Sequence, residues 1–248
     1  MNNTINELLT FSTVSNNSNS VSNPVYYLPE PLRNVMGYNL QNFCGINNFY
    51  TIDARNNAFS WTENGKATIT VFISYRNYTI TTLLAEIQAL MNANTLSANV
   101  YSLSVITPTN GIINVINILA TGTATSFILN NTSNNCYYEL GITKFDNIYS
   151  FSVNGNSQFD LTGVTQIYLV SADLDKHCRL LNNNNPIIGS IPVNSGYLSP
   201  IIYNNNNDNF VSCEQNQIQS ISFRLLDQRG RLLTQVSDWS ISILFSTN

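Results

Sequence analysis

Apolar residues recur along this chain with two periods. From Ala67 to Tyr75 (Ala-Thr-Ile-Thr-Val-Phe-Ile-Ser-Tyr) β-branched and aromatic residues dominate, which predicts a strand. Over Thr79–Met91 the period becomes helical, and Ile80, Leu83, Leu84, Ile87, Leu90 and Met91 fall on one stripe. Thr79 is placed to N-cap this helix, its hydroxyl accepting from an orphan backbone N–H. Asn92, Asn94 and Ser97 end it. An apolar stripe needs a surface to lie on, so the helix is predicted to pack against a sheet. The period then returns to two. Val100–Ile106 and Gly111–Leu119 flank the turn residues Thr107-Pro108-Thr109-Asn110-Gly111 and predict a β-hairpin. Gln166–Ser171 reads as a strand, with shorter ones at Val35–Leu40, Phe49–Ile52, Ser126–Leu129 and Tyr149–Val153. Near the C-terminus Ile221, Phe223 and Leu225 share one face, as do Trp239, Ile241, Ile243 and Phe245. The charged turn Asp227-Gln228-Arg229-Gly230-Arg231 joins these two segments and predicts a half-buried strand pair.

Between these elements the chain is polar. Residues 12–24 form a low-complexity run with almost nothing to bury, so residues 1–24 are expected to be a flexible N-terminal arm. Ile5, Leu8, Leu9 and Phe11 give that arm a short apolar motif, which either docks on a neighbour or frays. Leu28-Pro29-Glu30-Pro31-Leu32 is held extended by its prolines. Asn182–Asn185 and Asn204–Asn207 read as surface loops. About eight to twelve short strands and one helix make a mainly β chain, a sandwich or barrel with a helical embellishment. The body is expected over 25–248, with an insertion-like hairpin and helix around 54–145.

Composition narrows the function classes. Of 248 residues, 43% are hydrophobic, enough to bury a core, but only 10% are charged, against about 25% in ordinary domains. Asparagine fills much of the gap. A net charge of −4 with no basic run argues against electrostatic nucleic-acid binding. No uninterrupted apolar run approaches the roughly 18 residues of a membrane helix. Met1–Glu7 lacks the features of a signal peptide, so synthesis in the cytosol is expected. Cys44, Cys136, Cys178 and Cys213 are scattered without a CxxC motif and are expected to be buried, reduced thiols. His177 is the single histidine, so a triad would have to use it and a multi-histidine metal centre is excluded.

Candidate chemistry is thin. Asp173, Asp175 and His177 alternate on a short extended segment; they make either a metal or acid/base cluster or, more simply, a solvated strand end. His177 and Cys178 are sequence neighbours, which a strand points to opposite faces. Glu214, Asp227 and Asp238 would need a separation of about 5–9 Å across one cleft to act as a glycosidase pair, and solvated turns explain them better. Tyr26 with Tyr27, or Tyr137 with Tyr138, could stack on a sugar, although such residues more often pair across strands. Phosphate-binding glycine loops are absent. No catalytic, cofactor-binding or metal residue is assigned, no cofactor is expected, and the chain is not read as an enzyme.

The order of several segments resembles one family. Ile218–Leu233 followed by Asp238–Phe245 resembles the closing strands of small jelly-roll capsid proteins of virophages, polinton-like elements and related large double-stranded DNA viruses. Arg76-Asn77-Tyr78-Thr79-Ile80-Thr81-Thr82-Leu83-Leu84-Ala85-Glu86-Ile87 is similar to the stretch G-N-Y-T-x-x-x-L-x-x-x-I of such proteins, with Arg76 where glycine is usual. Leu140-Gly141-Ile142 stands where the family often has Leu-Gly-Phe, and Ile167–Leu174 resembles its I-x-L-x-S-x-x-L strand. The resemblance covers about residues 70–245. It implies a jelly-roll β-sandwich and a penton-type capsid protein, a homopentamer plugging the fivefold vertices among double-jelly-roll trimers of a major capsid protein. It implies no enzyme activity and a place in the virion. Two other roles suit such a chain: a receptor- or glycan-binding fibre head, which would more often be trimeric, and a minor cement protein elsewhere in the shell.

Overall fold

Two clusters of inward-facing apolar residues organise the chain into two units, Met1–Phe49 with Val164–Asn248, and Tyr50–Gly163. The computed structural model describes residues 5–14, 21–107, 114–122, 125–174, 187–207, 209–234 and 236–248. The first unit opens with β1 (Ile5–Ser12) and β2 (Val25–Ile46). The second carries β3 (Ala58–Glu63), β4 (Thr68–Phe72), α1 (Ile80–Asn94), β5 (Asn99–Ile106), β6 (Val115–Gly122), β7 (Phe127–Leu129) and β8 (Ser152–Asn154). The chain then returns to the first unit with β9 (Gln166–Val170), β10 (Ile187–Pro192), β11 (Pro200–Asn204), β12 (Val211–Ser222), β13 (Arg224–Asp227) and β14 (Ser240–Thr247).

In the first unit β2 serves two layers. Its C-terminal part pairs with β14 on one side, and β1 pairs with β14 in turn. On its other side it pairs with β11 and the start of β12. Its N-terminal part, Val25–Leu32, pairs with the end of β12. Beyond β12 the chain continues into β13, which pairs with β9, and β9 pairs with β10. Every pairing is antiparallel, and the first strand lies beside the last. Eight strands, five in one sheet and three in the other, in this order make a jelly roll. The crossing between layers has a visible cause. The β2–β12 register slips between Ser212 and Gln215 and again between Ile218 and Ser220. Asn34, at φ 50°, bends β2 in the left-handed region that asparagine tolerates. Strands that change layers do so at such bulges and bends.

The two layers bury one core. Tyr38, Phe43, Ile241, Ile243 and Phe245 face Ile167, Leu169, Ile191, Ile221, Phe223 and Leu225. The alternation read at both C-terminal segments is therefore real, but the two segments do not pair with each other. β13 belongs to β9 and β14 to β1 and β2. The Asp227–Arg231 turn instead folds the chain back on itself, with Leu233 N–H donating to Leu225 C=O at 2.9 Å. Part of the segment expected as an arm, 5–12, is a strand, and residues 1–4 and 15–20 lie outside the described residues. Residues 5–12 form β1 in full register with β14. Phe11 supplies the reason: it is buried, with ring centroids 5.2 Å from both Tyr26 and Phe223. Thr13 Oγ1 then accepts from Trp239 N–H at 2.9 Å, and Trp239 Nε1–H donates to Val21 C=O at 3.0 Å.

The second unit is also β-rich. β4-β3-β7 and β5-β6-β8 are its sheets, linked where Phe127 and Ser150 exchange backbone bonds and Ala120 N–H reaches Phe151 C=O. β5 and β6 pair from Asn99–Gly122 to Ile106–Val115, the predicted hairpin, whose tip at 108–113 lies outside the described residues. α1 begins at the Thr79 cap, where a reciprocal pair of bonds with Thr82 satisfies two orphan N–H groups. Leu83, Leu84, Ile87 and Met91 of the predicted stripe are buried against Trp61, Tyr101, Ile116 and Ile118. The polar side of the helix is used as well. Asn92 accepts from Tyr101 N–H at 2.6 Å and donates to Tyr101 C=O at 3.0 Å, and Gln88 accepts from Leu103 N–H at 2.9 Å. Side-chain amides thus cover the edge of β5 that faces away from β6 at Tyr101 and at the Leu103 N–H.

Candidate functional site

The residues singled out from sequence do not assemble into a reaction centre. Asp173 is consumed by structure: its Oδ2 accepts from both the N–H and the hydroxyl of Ser222, at 2.6 and 2.5 Å, and holds the end of β12. Asp175, His177 and Cys178 lie outside the described residues. Asp227 accepts from the N–H groups of Arg229 and Arg231 and from Arg231 Nε–H at 2.8 Å, so it builds its own turn. Asp238 accepts from Thr13 at 3.1 Å and helps fix the chain after β1. Glu214 is a residue of β12. Tyr26 packs against the first core while Tyr27 is exposed, and Tyr137 is buried while Tyr138 is exposed; neither pair forms a stacking platform. Cys136 and Cys213 are buried, but Cys44 is exposed on β2, contrary to the expectation of buried thiols. The asparagines after β11 are not a loose insertion, because Asn205 donates to Asn39 at 2.8 Å and to Leu40 C=O at 3.0 Å. Among the described residues no three His, Cys, Asp or Glu side chains gather as a metal would require.

Two polar clusters in the second unit involve residues to which the sequence assigns no chemistry. Glu63 ends β3 fully buried, where Thr95 Oγ1–H, Tyr101 O–H and Leu96 N–H donate to it at 2.6, 2.8 and 3.0 Å. Burial alone would raise its pKa, but donors from Thr95, Tyr101, Ser97 and Leu96 overcome that and hold the carboxyl below the ordinary range. Tyr101 is pushed up by burial and by the neighbouring carboxylate. A second cluster braces the start of α1. Tyr78 O–H donates to Glu86 at 2.6 Å and to Ser74 C=O at 3.0 Å, Arg76 pairs with Glu86 at 2.7 Å, and the guanidinium sits 4.4 Å from the Tyr78 ring centre. Burial and then the Glu86 bond push the Tyr78 hydroxyl up to about 12. Asn77 and Tyr78 also clamp Thr51, through Thr51 N–H to Asn77 at 3.0 Å and Tyr78 N–H to Thr51 Oγ1 at 2.9 Å. Each carboxylate in these clusters is already occupied by donors from its own fold, so the clusters position backbone.

What the described surface offers is contact area. Ile202 stands exposed on the outer side of β11, and Tyr27 is 80% exposed at the start of β2. In the second unit Phe72 and Ile148 stand out in the same way, and Ile148 borders a cleft of about 400 Å³ with Ile128, Ile142, Lys144 and Asp146. No helix is long and apolar enough to cross a membrane among the described residues.

No protein-family model matches the chain, and no curated protein matches it. Among solved structures it is similar to the crystal structure of the selenomethionine-labelled mavirus penton protein, with a TM-score of 0.45 and 11% identity over 99% of this chain and 100% of that one.

Proposed function

We propose that the chain is a structural virion protein, a penton-type jelly-roll capsid protein that closes as a homopentamer at the fivefold vertices. The observation that carries this reading is the hydrogen-bonded strand order of the first unit, with the first strand beside the last and β2 shared between layers. The segments that resemble small capsid proteins fall on defined elements of the fold. Ile167–Leu174 supplies β9 and the Asp173 clamp, and Ile218–Phe245 runs from the end of β12 into β14. The Arg76–Ile87 stretch is the braced start of α1, and Gly141 occupies a turn at φ +71°.

Assembly is the mechanism. A closed ring needs heterologous contacts, so two different flanks of one subunit must be complementary. Exposed Tyr27 and Ile202 are large side chains of the kind such contacts bury. The second unit elaborates the shell, and major capsid trimers are the remaining neighbours. Synthesis takes place in the host cytoplasm and the protein ends in the virion. The solution mass of the purified chain tests the reading. A ring near 140 kDa, five copies of 27.7 kDa, supports it, and a trimer would overturn it in favour of a fibre head.

A further inference from the structure

The amide closure of β5 is incomplete. Tyr101, Leu103 and Val105 share a parity, so their N–H and C=O groups point away from β6 and toward α1. Asn92 satisfies Tyr101 and Gln88 satisfies the Leu103 N–H. One turn further along α1 the row continues with Ala85 and Thr81, which bring no amide. The Val105 N–H and C=O and the Leu103 C=O meet no partner among the described residues. Beside them lies a groove of about 380 Å³ lined by Thr81, Leu84, Ala85, Gln88, Leu103 and Val105.

We propose that this groove takes an extended, uncharged peptide segment of another protein, added as a strand on the open end of β5. The backbone groups favour a main-chain partner, because an extended chain offers donors and acceptors at the spacing of Leu103 and Val105 where α1 supplies no further amide. The lining dictates the side chains. It holds no charged residue, so a charged segment would lose hydration there with nothing in return. Val105, 39% exposed, presents the apolar surface, and the buried Leu84 and Leu103 form the floor behind it. Short apolar side chains alternating with small polar ones fit one wall of side chains and one open side. The site belongs to the second unit alone and does not depend on the capsid reading.

An acetylated and amidated Ser-Val-Ser-Val-Ser-Val peptide is the probe, titrated into the full chain while backbone amide resonances are followed. The expected result is a shift and slowed hydrogen exchange at the Val105 N–H. Ala85→Gln places an amide where the row stops, on an exposed helix position, and should weaken binding about tenfold while leaving the thermal midpoint near that of the parent. Gln88→Leu, which frees the Leu103 N–H, should strengthen binding. No perturbation of Val105 at millimolar peptide, or binding indifferent to Ala85→Gln, overturns the proposal. Concentration-dependent dimerisation that Ala85→Gln abolishes would assign the edge to a second copy of the chain and likewise overturn it.

Discussion

Replacing Tyr101 by phenylalanine removes one hydroxyl from the buried Glu63 cluster and little else. The ring keeps its edge contacts with Phe127 and Trp61, at centroid distances of 5.4 and 6.1 Å, so no cavity opens. What is lost is the bond donated to the carboxylate at 2.8 Å and the one accepted from Asn99 at 3.2 Å. A hydrogen bond to a charged group contributes about 1.5–3 kcal/mol, so Tyr101→Phe should destabilise the second unit by about 2 kcal/mol. With a urea m-value of about 2 kcal/mol per molar, the midpoint falls by about 1 M. The two tryptophans make the measurement local, because Trp61 is buried in the second unit and Trp239 in the first. A Trp239→Phe background leaves Trp61 as the reporter. The penalty should also depend on pH with a definite sign. The folded carboxyl of Glu63 is held below its ordinary value, so its contribution is complete above the unfolded pKa of about 4.3. That contribution fades as pH falls through the lower folded value. The Tyr101→Phe penalty should therefore be full at neutral pH and shrink in acid. A loss under about 0.5 kcal/mol at pH 7, the size of an ordinary surface change, would show that the hydroxyl does not support the carboxylate. So would a penalty unchanged down to the acid transition.

Phe11→Ala should cost about 3–5 kcal/mol, the range for emptying a buried aromatic site, and should expose β1 to limited proteolysis before the rest of the first unit. Gly141→Ala should fail to fold at physiological temperature, since a Cβ there would lie 2.2 Å from Ser157 C=O at φ +71°; thermal scanning checks it. Thr79→Ala removes the acceptor for the Thr82 N–H and should lower stability by about 1 kcal/mol, read from the urea midpoint of the Trp61 signal.

The elements most legible in the sequence were those with one strong periodic face. α1 runs Ile80–Asn94 from the expected cap, and β5, β9 and β14 fall within a residue or two of their expected bounds. β3 escaped because all six of its residues are buried, including Ser60, Thr62 and Glu63. A strand covered on both faces shows no alternation, and its polar members found partners that sequence does not display. In the N-terminal segment the apolar motif Ile5, Leu8, Leu9 and Phe11 is legible, but the surface it meets is not, because Phe11 docks on Tyr26 and Phe223, which are distant in sequence. The turn between the C-terminal segments suggests that they pair with each other. The jelly-roll order instead sends each to a different layer, through long-range contacts that local pattern does not encode. The candidate carboxylates were legible as residues but not as roles. Asp227 and Asp238 hold backbone, and Glu63 and Glu86, to which the sequence assigns no chemistry, each accept several bonds.

An icosahedral reconstruction of particles assembled with the chain tests the proposed place of this fold in a shell. Five copies of the first unit are expected around each fivefold axis, with β1 lying beside β14 within each copy. Density for this fold at other positions of the lattice, with a different protein at the vertices, would contradict it.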